Sequence, residues 1–441
     1  MPRSFVLLLL ASAAMAQAPD KTKPSDWPTL LGPNGDGSSP DRGILTKWPK
    51  DGLKKLWEAR LGEGYAPPVV AAGKLYHFDR FEDQATLTCR DAATGKTAWK
   101  YSYTTEYEDR YGYEPGPRAC PVVDGDKVFV LGPEGTLAAV RTEDGKELWK
   151  LDTRKEYHVH QNFFGVGSTP LVVGDLLIVA IGGSPKGPRP RDLREAVGNS
   201  TGLVAFEKAT GKEKYRATDE LASYSSPMLA KLHGQSVVLY LGRRGLVALD
   251  PAKGKELFSH AWRAKGEESV NAANPVVLGD SILLSECYGM GSAKLDVDKD
   301  WKVAVAWSDA EKDRREKSLL SHWCTPIADE GSIYGSSGRH ESEADLRCID
   351  ANSGEVKWVK PKTRRCTLTK IDGHLLCLAE DGTLTLVKLN AEKYEAAAVW
   401  SERDNPDLAY PCWAPPVVAD GRVYLRGKGK LICCELLAKR P

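Results

Sequence analysis

An all-β ring, an eight-bladed β-propeller with four-stranded antiparallel blades, follows from three features of the sequence. The first is a unit that returns about every fifty residues: a Pro followed by Val, Leu or Ile, a Gly-containing turn, two apolar runs, and a Gly-Lys/Glu turn leading to an aromatic. The second is that each unit holds four short runs rich in Val, Leu, Tyr and Trp, bounded by Gly/Asp turns, as strands are. Four strands per unit in a radial array make a propeller blade. The third is that no amphipathic stretch is long enough to supply crossover helices, which argues against an α/β fold.

Residues 1–16 read as a secretory signal peptide. Arg3 supplies the positive end, 5–14 the apolar core, and Ala14-Met15-Ala16 the small-x-small cleavage site before Gln17. That core falls well short of the about 20 residues a membrane span needs. The first cysteine is Cys89, so no lipid-attachment cysteine follows the signal. The expectation is a periplasmic or secreted chain with no membrane span. Residues 17–52 form an N-terminal extension, and 53–437 a single propeller domain.

The Pro anchor recurs at Pro68, Pro121, Pro170, Pro227, Pro275, Pro326 and Pro416. A degenerate copy, with Thr367-Leu368 in place of Thr-Pro, lies between the last two and brings the count to eight. Copy one reads Pro68-Val69-Val70, Gly73-Lys74-Leu75-Tyr76, Leu87-Thr88-Cys89-Arg90-Asp91, Thr94-Gly95-Lys96, Trp99. The aromatic falls four residues after a turn glycine at Gly95/Trp99, Gly145/Trp149, Gly211/Tyr215, Gly254/Phe258 and Gly354/Trp358. Copies five and seven lack that glycine yet still end on Trp307 and Trp400. In copy two the strands are predicted at 120–123, 127–131, 136–141 and 147–151. Copy eight supplies three strands, 416–418, 422–425 and 431–436. Its fourth is 53–61 at the other end of the chain, which carries Trp57. Such closure removes the open sheet edge that invites aggregation.

The formal net charge is +1, with acidic and basic residues interspersed. Nothing in it selects nucleic acid or an anionic membrane as a partner. Ten cysteines in an exported chain make disulfides possible. Cys120, Cys324, Cys366 and Cys412 sit just before the first strand of a blade, and Cys324 with Cys366, from neighbouring blades, is the favoured pair. Cys89, Cys348 and Cys433 share a place in the third strand and read as small buried hydrophobes. No Cys-x-x-Cys-His occurs, so no covalently attached haem is expected.

The runs Asp91-Ala92-Ala93-Thr94-Gly95-Lys96-Thr97-Ala98-Trp99 and Asp350-Ala351-Asn352-Ser353-Gly354-Glu355-Val356-Lys357-Trp358 resemble the repeat of the pyrroloquinoline quinone (PQQ)-type propellers. Four further segments resemble a branch of exported bacterial PQQ-like repeat proteins, similar to the outer-membrane assembly propeller. They are Trp27-Pro28…Gly32-Pro33-Asn34-Gly35-Asp36-Gly37, Ala222-Ser223-Tyr224-Ser225-Ser226-Pro227, Asn271-Ala272-Ala273-Asn274-Pro275 and Ala419-Asp420-Gly421-Arg422-Val423-Tyr424-Leu425. The resemblance covers nearly all of the mature chain. It implies that Trp57, Trp99, Trp149, Tyr215, Phe258, Trp307, Trp358 and Trp400 dock blade on blade. It also leaves two functional classes open. Some members of the family are dehydrogenases that hold PQQ and calcium at the ring centre; others bind proteins and hold no cofactor. Function lives in the site rather than in the fold.

A PQQ dehydrogenase needs an aromatic floor, carboxylate and amide ligands for a hard cation, and a carboxylate base. Many alcohol-oxidising members add a disulfide between adjacent cysteines. Cys433-Cys434 is the adjacent pair here, but it falls in a predicted strand, where alternation sends the two side chains to opposite faces. The long inter-blade insertions that roof such sites are missing.

The segments entering each first strand line one mouth of the channel, and loops on a rigid scaffold are where binding sits. They carry Arg118, His158, His160, Asn162, Tyr224, Asn271, Asn274, His322, Trp323, Arg365, Tyr410 and Trp413. These are the ligand-binding candidates, and Trp323 or Trp413 could supply a quinone's aromatic plane. His158 and His160 would share a face if extended, as a metal pair needs, with His322 as a third. No carboxylate or cysteine stands at a fixed ligand spacing, so no metal is expected. The insertion 101–118 carries Tyr101, Tyr103, Tyr107, Tyr111 and Tyr113, which suits a recognition loop or a self-packed one. A second insertion, 182–199, reads as an exposed loop, and 311–317 as a solvated helical turn. No Gly-x-Ser-x-Gly, phosphate loop or zinc-hydrolase signature is present.

The leading expectation is an exported monomeric propeller acting as a binding or scaffold module, without a cofactor, whose mouth recognises a protein, small molecule or glycan. The alternative is a PQQ- and calcium-dependent oxidoreductase of the alcohol or sugar dehydrogenase type. No catalytic residue is assigned.

Overall fold

Each repeat folds as the antiparallel meander that its turns dictate. The computed structural model describes residues 25–159, 163–185, 196–266 and 268–438. The signal expected over 1–16 lies outside them. Among the described residues the strands form eight four-stranded antiparallel sheets, one of which gains a fifth strand. Blade one is Val69–Ala71, Lys74–Phe81, Gln84–Asp91 and Thr97–Thr104. In blade two the middle strands run Lys127–Leu131 and Thr136–Arg141, as the sequence predicts. Blade eight joins Val417–Ala419, Arg422–Gly427 and Lys430–Glu435 to Lys55–Arg60 from the other end of the chain. Trp57 pairs with Cys433 and Ala59 with Leu431, which closes the ring.

Period-two alternation turns alternate residues of each blade to its two neighbours, so the cores lie between blades. Between blades two and three, Phe129, Leu131 and Leu137 meet Leu177, Val179 and Phe206. Each such burial is worth about 1.5–3 kcal/mol. Cys433 and Cys434 fall in two different cores, one on either face of blade eight. All ten cysteines are buried free thiols, so the expected Cys324–Cys366 bond is not formed. Cys366 instead shares a sheet face with Cys377 on the adjoining strand.

The docking aromatics act across the blade boundary. A Cβ on Gly95, Gly145, Gly211, Gly254 or Gly354 would collide with Trp57, Trp99, Trp149, Tyr215 or Trp307 of the preceding blade. Trp99 Nε1 donates to Thr142 O at 3.0 Å and Trp307 Nε1 to Ala351 O at 3.2 Å. Where the turn glycine is missing, an aromatic takes its place: Phe258 stacks on Trp301, and Trp358 meets Tyr394 edge-on. Trp400 departs from the expected register. In blade seven the position after the strand bulge is Ala398, two residues earlier. Trp400 therefore bonds Asp404 O in its own blade and packs on Gly52 of the N-terminal extension, because blade eight has no continuous third turn to receive it.

That extension is an ordered strap at the end of the channel where first strands turn into second strands. Trp27 bridges to Val70 of blade one, and Pro28 O accepts from Val123 N of blade two at 2.9 Å. Ser38–Ser39 then pairs in parallel with Lys370 and Ile371 of blade seven. Ile44 finally bridges to Leu437 beside blade eight.

One further expectation needs correction. Tyr101 and Tyr103 belong to the fourth strand of blade one, not to a loop, and their hydroxyls donate to Glu147 and Glu134 at 2.6 and 2.8 Å. A short helix, Thr153–Tyr157, interrupts the passage from blade two to three, started by Asp152, whose carboxylate accepts from Lys155 N. The 311–317 segment is the exposed helical turn expected, over Arg314–Glu316, except that Lys317 is buried and its ammonium donates to Asp309 O and Ala310 O. No helix among the described residues is long and apolar enough to cross a membrane.

Candidate functional site

The mouth is built on one offset from the proline anchors. The residue three before the anchor is Tyr65, Arg118, Tyr224, Trp323 or Trp413 in five of the repeats. The residue just before the anchor points along the ring. Cys120 N donates to Thr169 Oγ1 at 3.2 Å, Thr169 N to Ser226 Oγ at 2.8 Å, Ser226 N to Asn274 Oδ1 at 2.9 Å and Asn274 N to Thr325 Oγ1 at 3.0 Å. This belt ties five successive blades and satisfies amides that burial would otherwise leave costly. Asn274 is thus a belt residue. Asn271 is also buried and structural, its amide donating to Gly242 O and Trp262 O at 2.8 and 3.0 Å.

Above the belt, seven of the twelve candidates join one aromatic and arginine layer: Arg118, Tyr224, His322, Trp323, Arg365, Tyr410 and Trp413. Trp413 stands at its centre, with ring centroids of Tyr65, Trp323, Tyr113 and Tyr410 at 4.7, 5.4, 5.7 and 6.2 Å. Tyr113 continues edge-on to Phe164 at 5.3 Å, and Phe164 to Tyr224 at 5.7 Å. The insertion from blade one thus leans across the mouth to touch loops before blades three and eight. Arg118 holds it, bonding Asp109 at 2.6 Å beneath the Tyr65 and Tyr107 rings. Burial raises the Tyr65 phenol to about 12.

The polar floor is as closed. Glu380 is fully buried and receives Arg365 Nη2 at 2.6 Å and Trp413 Nε1 at 3.2 Å. Arg365 lies over the Trp323 ring at 4.6 Å. His322 is wedged beside Trp323, with Tyr288 OH 3.1 Å from Nε2 and Arg365 Nη1 3.5 Å from Nδ1. Burial first, then Arg365 and Arg339, pull its pKa down to about 3, so it is a neutral ring. The remaining candidates stand apart: His158 is exposed, in the left-handed region at the end of the short helix, and so not extended beside its neighbour. His160 and Asn162 lie outside the described residues, as does 186–195 of the second insertion.

This layer does not fit a planar tricyclic quinone with a bound cation. The indoles of Trp323 and Trp413 are already covered, by Arg365 and by neighbouring rings. The cleft between Tyr65, Trp413 and Arg426 leaves no room for even a water molecule. The buried carboxylates have partners of their own: Glu380 has Arg365, Glu220 has Arg244, and Glu286 accepts the amides of Tyr288 and Gly289. Among the described residues no three His, Cys, Asp or Glu side chains group to hold a metal ion.

Tyr65, Phe163, Phe164, Tyr288 and Glu380 are members that the sequence candidates omit. Tyr65 carries the same signal as Trp413, its offset from the anchor. Glu380 carries none, because it follows the second strand of its blade and meets Arg365 only through pairing.

A family model described as "Outer membrane protein assembly factor BamB" matches residues 42–187 and 108–360. The chain is 22% identical over 320 residues to the outer membrane protein assembly factor BamB of Burkholderia pseudomallei, covering 70% of this chain and 72% of that protein. It is 27% identical over 172 residues to the quinohemoprotein alcohol dehydrogenase ADH-IIG of Pseudomonas putida; that match takes in 37% of this chain but spans about a fifth of the dehydrogenase, 21%. In fold it is similar to the crystal structure of BamB from Moraxella catarrhalis, with a TM-score of 0.58 at 16% identity, over 88% of this chain and 98% of that one.

Proposed function

Because the chain belongs to the PQQ-repeat family described as outer membrane protein assembly factor BamB, we propose that it is an exported assembly scaffold whose loop-side mouth binds a protein partner. One observation carries the reading. The mouth is an aromatic surface over a polar layer in which Glu380 takes Arg365 and Trp413 as donors, with Tyr111, Tyr113 and Tyr410 exposed by 58, 44 and 50%. Exposed aromatics grouped on a rigid base mark partner surfaces, and Tyr and Trp dominate binding energy at interfaces. Asn271 and Asn274 are the frame of this surface rather than its contacts, and Tyr113, Tyr410 and Trp413 are the contacts. The secretory signal at 1–16, the single propeller domain over 53–437 and a monomeric state belong to the same proposal.

A second reading, a quinoprotein oxidoreductase, rests on the match to the Pseudomonas putida dehydrogenase. The covered indoles and self-paired carboxylates speak against it, and no catalytic step is derived for it.

Photo-crosslinking tests the scaffold reading. A crosslinking residue at Tyr410 or Tyr113, placed in cells that make the protein, is expected to give a discrete protein adduct. The same residue at Val305, on the outer edge of blade five, gives none. Adducts from Val305 alone, or from no position, contradict the proposal.

A further inference from the structure

Blades six and seven do not fill the space between them. In blade three the face turned to blade two carries Val179, Ile181, Val204 and Phe206. The same register of blade seven, facing blade six, carries Cys377, Ala379, Thr385 and Val387. Blade six recedes as well, with Ser336 and Lys360 where blade two has Leu131 and Leu151. One aromatic ring and several methyl groups are thereby missing from a contact that repeats closely around the ring. What remains is a half-open cleft of about 440 Å³, the volume of a small-molecule site.

Its chemistry is two-sided. The inner wall is apolar, with Ala379, Val387 and the Tyr394 ring. The lip is basic. Lys360 Nζ lies 5.4 Å over the Tyr394 ring, Lys362 is exposed beside it, and among the described residues neither ammonium has a carboxylate partner. Arg364, the third cation of the lip, is already held by Glu341 and Asp381. The ligand such a cleft selects has an apolar body no larger than a side chain or two and one anionic group, since charge-assisted bonds to Lys are the strongest contacts on offer.

We propose that the cleft between blades six and seven binds a small aromatic carboxylate. The ring takes the volume that the Phe206 side chain fills in blade three, and the carboxylate meets Lys360 and Lys362. This site is independent of the partner surface at the mouth.

The test is a fluorine NMR titration of the mature protein with 4-fluorophenylacetate and with its neutral amide. The acid is expected to bind saturably, and the amide at least about tenfold more weakly. Ala379→Ile with Val387→Phe, which restores the packing of blade three, is expected to raise the melting temperature and abolish binding. Lys360→Gln with Lys362→Gln is expected to weaken the acid about tenfold and leave the amide unchanged. These lysines sit on the exposed lip, so the pair decides the matter even where the filled variant fails to fold. Equal affinity for acid and amide, unaltered binding in the filled or the lysine variant, or no saturation with millimolar acid overturns the proposal.

Discussion

Glu380 holds the buried charge around which the mouth is arranged, since both Arg365 and Trp413 donate to it. Removing one partner of such a pair leaves the other charge buried and unpaired. Arg365→Ala is therefore expected to cost about 3–5 kcal/mol in urea unfolding, and Arg365→Met with Glu380→Leu clearly less. A double variant as unstable as the single one would show that the pair does not set the cost. His322 gives the layer a pH signature. Its folded pKa of about 3 lies below the about 6.5 of an unfolded histidine. Between those values the unfolded state binds the extra proton, so stability falls as pH falls, by about 1.4 kcal/mol per pH unit from this group. His322→Gln should flatten the slope of unfolding free energy between about pH 6 and 4; an unchanged slope would remove His322 as its source. At this scale Arg118, Trp323 and Trp413 were legible from their place before a proline anchor. Glu380 was not, because its role comes from a partner brought near only by strand pairing.

Blade docking is a matter of elements rather than single contacts, and two glycines separate its parts. Gly73 and Gly95 share a left-handed backbone, with φ of 71° and 72°. A Cβ on Gly73 meets nothing, whereas one on Gly95 falls 2.7 Å from the Trp57 ring. Gly73→Ala is expected to cost about 1–2 kcal/mol from backbone strain, and Gly95→Ala about 1–3 kcal/mol more from overpacking. Equal losses of melting temperature would mean that the turn does not bear on Trp57. The four-residue spacing from glycine to aromatic made this device readable in the sequence. Its exceptions were not readable: Trp301 and Tyr394 replace the glycine through tertiary ring contacts, and the two-residue displacement of Trp400 depends on where the strand bulges.

The ring as a whole is held by its ends. Strand 55–60 completes blade eight, and the strap before it buries Trp27 and Ile44 while touching blades one, two, seven and eight. Deleting 25–52 but keeping 55–60 is expected to remove on the order of 5 kcal/mol, the worth of two or three large apolar side chains. A differential scan should show one transition at lower temperature; an unchanged transition would reduce the strap to decoration. Closure by the two termini was legible, because blade eight lacked a strand and 53–61 carried the missing Trp. The strap was not, since its Gly- and Pro-rich run has no periodicity and gains its order from the blades beneath it. On the proposed reading, what the closed ring leaves for function is a mouth that recognises by its aromatic surface rather than by holding a quinone. Titration of the mature protein with PQQ and calcium, followed by tryptophan fluorescence and melting temperature, tests that most directly. No saturable change is expected, because Trp323 and Trp413 are already covered by Arg365 and neighbouring rings. Saturable quenching with a raised melting temperature would contradict it and make the mouth a quinone site.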